Sequence, residues 1–261
     1  MLGKALYPAN HESTTMSAAP PPAPPILNTS LSLTRTLTDF LTVTLHTLLS
    51  IRSLYPPSSF LTTRAYNLPV QQSRHPAVCT WINTSISHLT PLLLTSSISL
   101  ITFVIFSASG QVLERYIFDI SRFPVVGEKE KWTEFEEGRG IVDVEEQLRA
   151  TIKKLQIAGE RLKKLPQDCT FTFVVEMREG SEAPIGHPMP WVASEPGLQQ
   201  QTEGNGKGKE RERNTSVGVD RGGVKSTPVR LVEAGDFVLE AWIEEGKAKF
   251  ELVDEDEDDE G

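Results

Sequence analysis

ISLITFVIF SASGQ VLERYIFDI, residues 98–120, is two apolar runs separated by a turn of small residues. The first run is rich in β-branched and aromatic residues, and in the second Val112, Tyr116, Phe118 and Ile120 fall on one face of an extended chain. Residues two apart in a strand share a face, and a Ser-Ala-Ser-Gly turn at 107–110 is short enough to bring the two runs side by side, so the segment predicts a β-hairpin.

The flanking segments supply what such a hairpin needs for burial. Between Leu31 and Tyr55 the apolar residues Leu31, Leu33, Leu37, Leu41, Val43, Leu45, Leu49 and Ile51 all sit at odd positions, formally a strand period. A strand of that length is far outside the usual range, whereas Leu37, Phe40, Leu41, Leu45 and Leu48 make a helical stripe. The segment therefore reads as a helix, stopped by Pro56 and Pro57. Residues 56–75 read as a loop, and a shorter helix starts at His75-Pro76, with Pro91 marking its end.

Downstream, Ile141, Val144, Leu148, Ile152 and Leu155 form one apolar helix face. Thr170 to Met177 alternates, with Phe171, Phe173, Val175 and Met177 on one side, and reads as a half-buried strand joining the hairpin. Val229 to Val232 and Phe237 to Ile243 read as two last strands around Ala234-Gly235-Asp236. The fold class is α+β, helices packed on one largely antiparallel sheet.

Composition bounds the rest. A chain of 261 residues that is 38% hydrophobic supports one core of ordinary size. Residues 1–27 and the polar stretch 198–227 carry too little apolar surface to order themselves. The formal charge of −9 comes mostly from Asp254 to Glu260, and about −2 remains without that run. No basic stripe is present, so direct nucleic-acid binding is not expected. Two cysteines, Cys79 and Cys169, make neither a disulfide framework nor a zinc motif. No apolar run approaches the ~20 residues of a membrane span. These features predict a soluble intracellular protein without a membrane anchor.

Catalytic patterns are missing. His11, His46, His75, His88 and His187 have no zinc-binding spacing, and neither a nucleophile elbow nor a P-loop occurs. Lys207 in the glycine-rich 204–208 stretch follows a polar run rather than a strand. Glu136-Glu137 and Glu145-Glu146 read as solvated charge. No catalytic residue, metal site or cofactor is expected. The four tryptophans, Trp81, Trp132, Trp191 and Trp242, lie where burial is partial, which suits interfaces.

Several stretches together resemble the HORMA family: IRSLYPP (51–57), RAYNLPVQ (64–71), His75-Pro76, VLERYIFDI (112–120), VEEQLR (144–149) and CTFTF (169–173). The resemblance spans about residues 31–193 and 228–245 and is strongest to the branch of accessory subunits of translesion DNA polymerase zeta. It implies a single HORMA domain over 28–250, with inserts at about 125–140 and 198–227 and a C-terminal safety belt over about 184–250. Tails at 1–27 and 251–261 flank it.

In that family the belt closes over a partner's peptide, which adds a strand to the sheet. The implied role is a non-catalytic adaptor in the nucleus that clamps a proline-containing peptide of the polymerase zeta catalytic subunit. Trp81, Tyr66 and Trp191 are the implied peptide-binding residues, Trp191 within the Pro190-Trp191 pair that opens the belt. Arg149 falls on the family's HORMA–HORMA dimer arginine. Glu240 and Trp242 fall on the surface that docks a second partner, the deoxycytidyl-transferring translesion polymerase. A spindle-checkpoint or meiotic chromosome-axis adaptor is the alternative implied by the same family.

Overall fold

The computed structural model describes residues 26–125, 132–134, 139–182, 184, 191 and 225–251. The elements in chain order are β1 (Ile26–Leu27), α1 (Ser30–Ile51), a 3-10 turn (Pro57–Ser59), β2 (Phe60–Ala65), β3 (Leu68–Ser73), α2 (Pro76–Leu94), β4 (Ile98–Phe106) and β5 (Val112–Asp119). They continue with β6 (Arg139–Gly140), α3 (Ile141–Arg161), β7 (Thr170–Met177), β8 (Lys225–Ala234) and β9 (Phe237–Glu245). One antiparallel sheet in the order β7-β4-β5-β9-β8 carries the helices on one face. The architecture is the expected α+β.

The hairpin β4–β5 is the middle of this sheet, and its register slips by one residue at Ile105/Phe106, leaving Leu113 in a bulge. Gly110 closes the turn with φ 82°, a conformation that favours glycine. Phe103, Tyr116 and Phe118 point to the helices, and Phe40 of α1 meets Phe118 edge-on at 6.0 Å.

Helix α1 explains its own misleading period. It opens on a reciprocal Thr29–Ser32 capping box. It then runs through the core, packed by α2, α3, β3 and the sheet, so residues of both parities are buried. A helix surrounded on most sides has no need of a single stripe. Its buried Thr47 hydroxyl donates to the Val43 carbonyl one turn back (2.8 Å), which satisfies a polar group without an outside partner.

Five expectations are corrected. Residues 60–73 are not loop: β2 and β3 form a hairpin around Tyr66 (φ 47°) and Asn67 (φ 57°), the paired left-handed residues of a tight two-residue turn. Pro91 does not end α2, which continues to Leu94. The carbonyl that Pro91 leaves without a donor belongs to Ser87, which is exposed to solvent. Ile26 and Leu27, assigned to the N-terminal tail, form β1 against β6, and Leu27 is buried in the core. Lys225 to Thr227, assigned to the polar insert, begin β8, and residue 251 closes a last helical turn, 247–251.

Candidate functional site

Among the described residues, strand β7 pairs with β4 on one side only, so its outer N–H and C=O groups form an open sheet edge there. Such an edge is a template for one further strand. The side chains beside it are aromatic. Trp81 on α2 stacks parallel to Phe173 (ring centroids 5.8 Å, interplanar angle 4°) and meets Phe171 edge-on at 4.9 Å. Phe171 also touches Tyr55 (6.1 Å) and Phe103 (5.6 Å), so the cluster runs from the edge into the core. Trp81 is only partly buried and therefore presents ring surface next to the edge.

The other expected peptide-binding residues are placed differently. Trp191 is partly buried against the core, while Pro190 and most of the expected belt, 185–190 and 192–224, lie outside the described residues. Tyr66 is at the turn of the β2–β3 hairpin and is not part of the Trp81 cluster. Burial, reinforced by the carboxylates of Asp39 and Glu145, pushes its phenol well above the ordinary tyrosine value. The structure does not bring Tyr66 and Trp81 into one site.

Arg149 on α3 is part-exposed, paired with Glu146 (2.8 Å), and lines an open groove of about 690 Å³ between α3 and β8 with Asp143, Arg230 and Glu233. In the same groove the Gln147 side-chain amide pairs with both backbone groups of Glu233, at 3.0 and 3.2 Å, and thereby caps part of the β8 edge. Glu240 and Trp242 share the sheet face opposite the helices, across from Asp119 and Ile117 of β5. Trp242 donates to Glu244 (3.1 Å), and Leu231, across from Glu240 on β8, is 43% exposed.

A HORMA domain model matches residues 32–219. The chain belongs to the HORMA family. Among curated relatives, it is 28% identical over 207 residues to the DNA polymerase zeta processivity subunit of Schizosaccharomyces pombe, covering 79% of this chain and 89% of the relative. It is 29% identical over 164 residues to the mitotic spindle assembly checkpoint protein MAD2B of Danio rerio, covering 61% of this chain and 74% of the relative. In fold, this HORMA domain is similar to a chain of the mitotic checkpoint complex (TM-score 0.59, 20% identity, 81% of this chain and 97% of that one). It is also similar to HTP-2 of C. elegans bound to a HIM-3 closure motif (TM-score 0.54, 11% identity, 86% and 94%).

Two polar features of the HORMA domain escaped sequence reasoning. Arg178, one residue past β7, donates from its guanidinium to the carbonyls of Ile98 (3.1 Å), Ile120 (2.9 Å), Ser121 (2.9 Å) and Phe123 (3.3 Å), fixing the point where the chain leaves the sheet edge. A lone Arg after an alternating strand gives no warning of this. The second is Glu114, completely buried on the same face as Tyr116 and Phe118 and bonded to Arg52. Its signal was an acidic residue at a core-facing position of an otherwise apolar strand.

These buried charges are matched. Burial opposes the Arg52 charge, but Glu114 more than offsets it and holds the guanidinium above its ordinary value. Burial likewise pushes the Glu245 carboxyl up, and Lys249 with Lys225 outweighs it, leaving the group below its ordinary value. Tyr116, buried and bonded to Glu114 (2.8 Å), is raised well above the ordinary phenol range. Among the described residues, no group of three or more His, Cys, Asp or Glu is placed to hold a metal ion. No described helix is long and apolar enough to cross a membrane.

Proposed function

We propose that this HORMA domain is the non-catalytic adaptor subunit of a translesion DNA polymerase zeta, working in the nucleus. It clamps a proline-containing peptide of the catalytic subunit between its sheet edge and its C-terminal segment. The observation that carries this reading is the open edge of β7 beside the partly exposed Trp81 ring and its Phe171–Phe173 partners. A peptide laid along β7 gains main-chain hydrogen bonds, and its prolines and apolar side chains gain an aromatic wall. The extent of similarity to the S. pombe polymerase zeta processivity subunit supports the choice of partner.

The face holding Glu240, Trp242 and Leu231 is the surface for a second translesion polymerase, and the Arg149 groove is the surface for a second HORMA domain. Both are far from β7, at the other side of the sheet order, so one chain accommodates a bound peptide and a further partner together. A spindle-checkpoint adaptor is the second reading, favoured by relatives called spindle assembly checkpoint proteins.

The test is binding of a labelled proline-containing segment of the same organism's polymerase zeta catalytic subunit to the wild-type chain, Trp81→Ala and Trp191→Ala. Loss of a central aromatic anchor costs ~2 kcal/mol or more, so each variant should bind at least about thirtyfold more weakly while remaining folded by circular dichroism. Absence of binding by the folded wild type would shift the assignment to the checkpoint or chromosome-axis adaptor.

A further inference from the structure

Lys249, in the helical turn 247–251 that follows β9, is completely buried. Its ammonium donates to Glu114 Oε1 of β5 and to Glu245 Oε2 of β9, each at 2.6 Å. Glu114 also receives both prongs of Arg52, Nε at 2.9 Å and Nη2 at 2.7 Å, and Arg52 reaches on to the carbonyls of Gly159 (2.7 Å) and Lys163 (2.6 Å) near the end of α3. Two cations and two carboxylates thus close a neutral buried set that joins α1, α3, β5, β9 and the last turn. Lys225, at the start of β8, approaches Glu245 from the solvent side at 3.2 Å.

The backbone is shaped for the same contact. Gly246 donates to the Leu113 carbonyl (2.8 Å), and a Cβ built at Gly246 would lie 2.3 Å from the Val112 carbonyl oxygen, so only glycine lets the chain press this closely on the start of β5. Beyond Lys249, the Phe250 ring lies 5.9 Å from the Lys163 ammonium. Stability alone is a poor reason to bury such a set, because well-packed apolar residues commonly serve as well or better. Its position is informative: it ties the Glu114↔Glu245 end of the β5–β9 ladder, the end from which the C-terminal hairpin would peel.

We propose that Lys249, seated between Glu114 and Glu245 and held there by the glycine turn at 246, is the latch that keeps the C-terminal β8–β9 hairpin closed on β5. The peptide-retention part of this role rests on the clamp reading above; the latch itself does not. Opening the hairpin then requires a buried ammonium to leave two carboxylates, which makes opening rare and slow.

The experiment is hydrogen exchange read by mass spectrometry on the full chain, comparing wild type, Lys249→Met and Gly246→Ala. The second variant keeps every charge and displaces only the backbone, so it decides the matter should Lys249→Met fail to fold. Removing one partner of a buried pair should accelerate exchange in 225–245 at least about tenfold, with α1, β4 and β7 unchanged. Uniform acceleration through all elements, or none in 225–245, overturns the latch. On the same samples, a pre-bound peptide of the catalytic subunit should dissociate faster from both variants by a similar factor. A wild type that binds no peptide counts against the clamp, while the exchange pattern still decides the latch.

Discussion

His46 is a base held in an almost dry place, 7% exposed on α1, where its Nδ1 accepts the backbone N–H of Ser73 at 3.2 Å. Burial lowers its pKa from the ordinary 6.5, so the unfolded chain takes up a proton first as pH falls. Stability from this group is therefore fully present above about pH 6.5 and is lost as pH falls through the lower folded-state value. His46→Asn keeps an acceptor for Ser73 and removes the proton. Its melting temperature should fall less than that of the wild type between pH 7 and pH 5.5, about the range in which a histidine titrates. Equal pH dependence would show that His46 is not the group responsible. Trp81 was legible as a partly buried tryptophan, and it is partly buried on α2 against Phe171 and Phe173. Glu114 was not, since its partners Arg52 and Lys249 lie 62 and 135 positions away and no local pattern joins them.

Among the elements, those with a strong period were readable: β4, β5 and β7 begin and end within a residue or so of their hydrophobic patterns, and α3 begins with its stripe at Ile141 but runs six residues past Leu155 to Arg161. The β2–β3 hairpin was not, because Pro56, Pro57 and Pro69 suggest a loop and its turn uses Tyr66-Asn67 where glycine would have announced it. Pro69 is tolerated because this hairpin is a separate two-stranded sheet whose strands are both edges. For α2, the usual rule that proline stops a helix fails at Pro91, whose exposed position makes the missing bond cheap but not free. Pro91→Ala should restore a donor to the Ser87 carbonyl and stabilise the protein by on the order of 1 kcal/mol, measured as a higher urea midpoint with unchanged slope. A lower midpoint would mean that the proline's restriction of the unfolded chain outweighs the lost hydrogen bond.

For the molecule as a whole, the buried charges connect elements that hydrophobic packing alone would leave free to slide. Arg52 is held to Glu114, which is held to Lys249, so the N-terminal helix, the central strand and the last turn form one mechanical unit. Glu114→Gln would leave two buried cations short of an anion, at a cost of about 3–5 kcal/mol. For a chain of this size, that is a fall in melting temperature of roughly 10 °C. A loss under about 1 kcal/mol would show that the pair is solvated in solution and worth no more than a surface bridge.

The order of the strands also sets a clock for synthesis. Glu114 of β5 is opposite Glu245 of β9, so the outer side of the central strand waits for a partner made 131 positions later. At ~5–20 residues per second, translation leaves that edge bare for roughly 7 to 26 s. During this interval the nascent chain offers the ribosome's surroundings an unpaired strand from its own centre. Chaperone occupancy on the half-made polypeptide should therefore rise once β4–β5 emerges and fall only when the C-terminal hairpin follows.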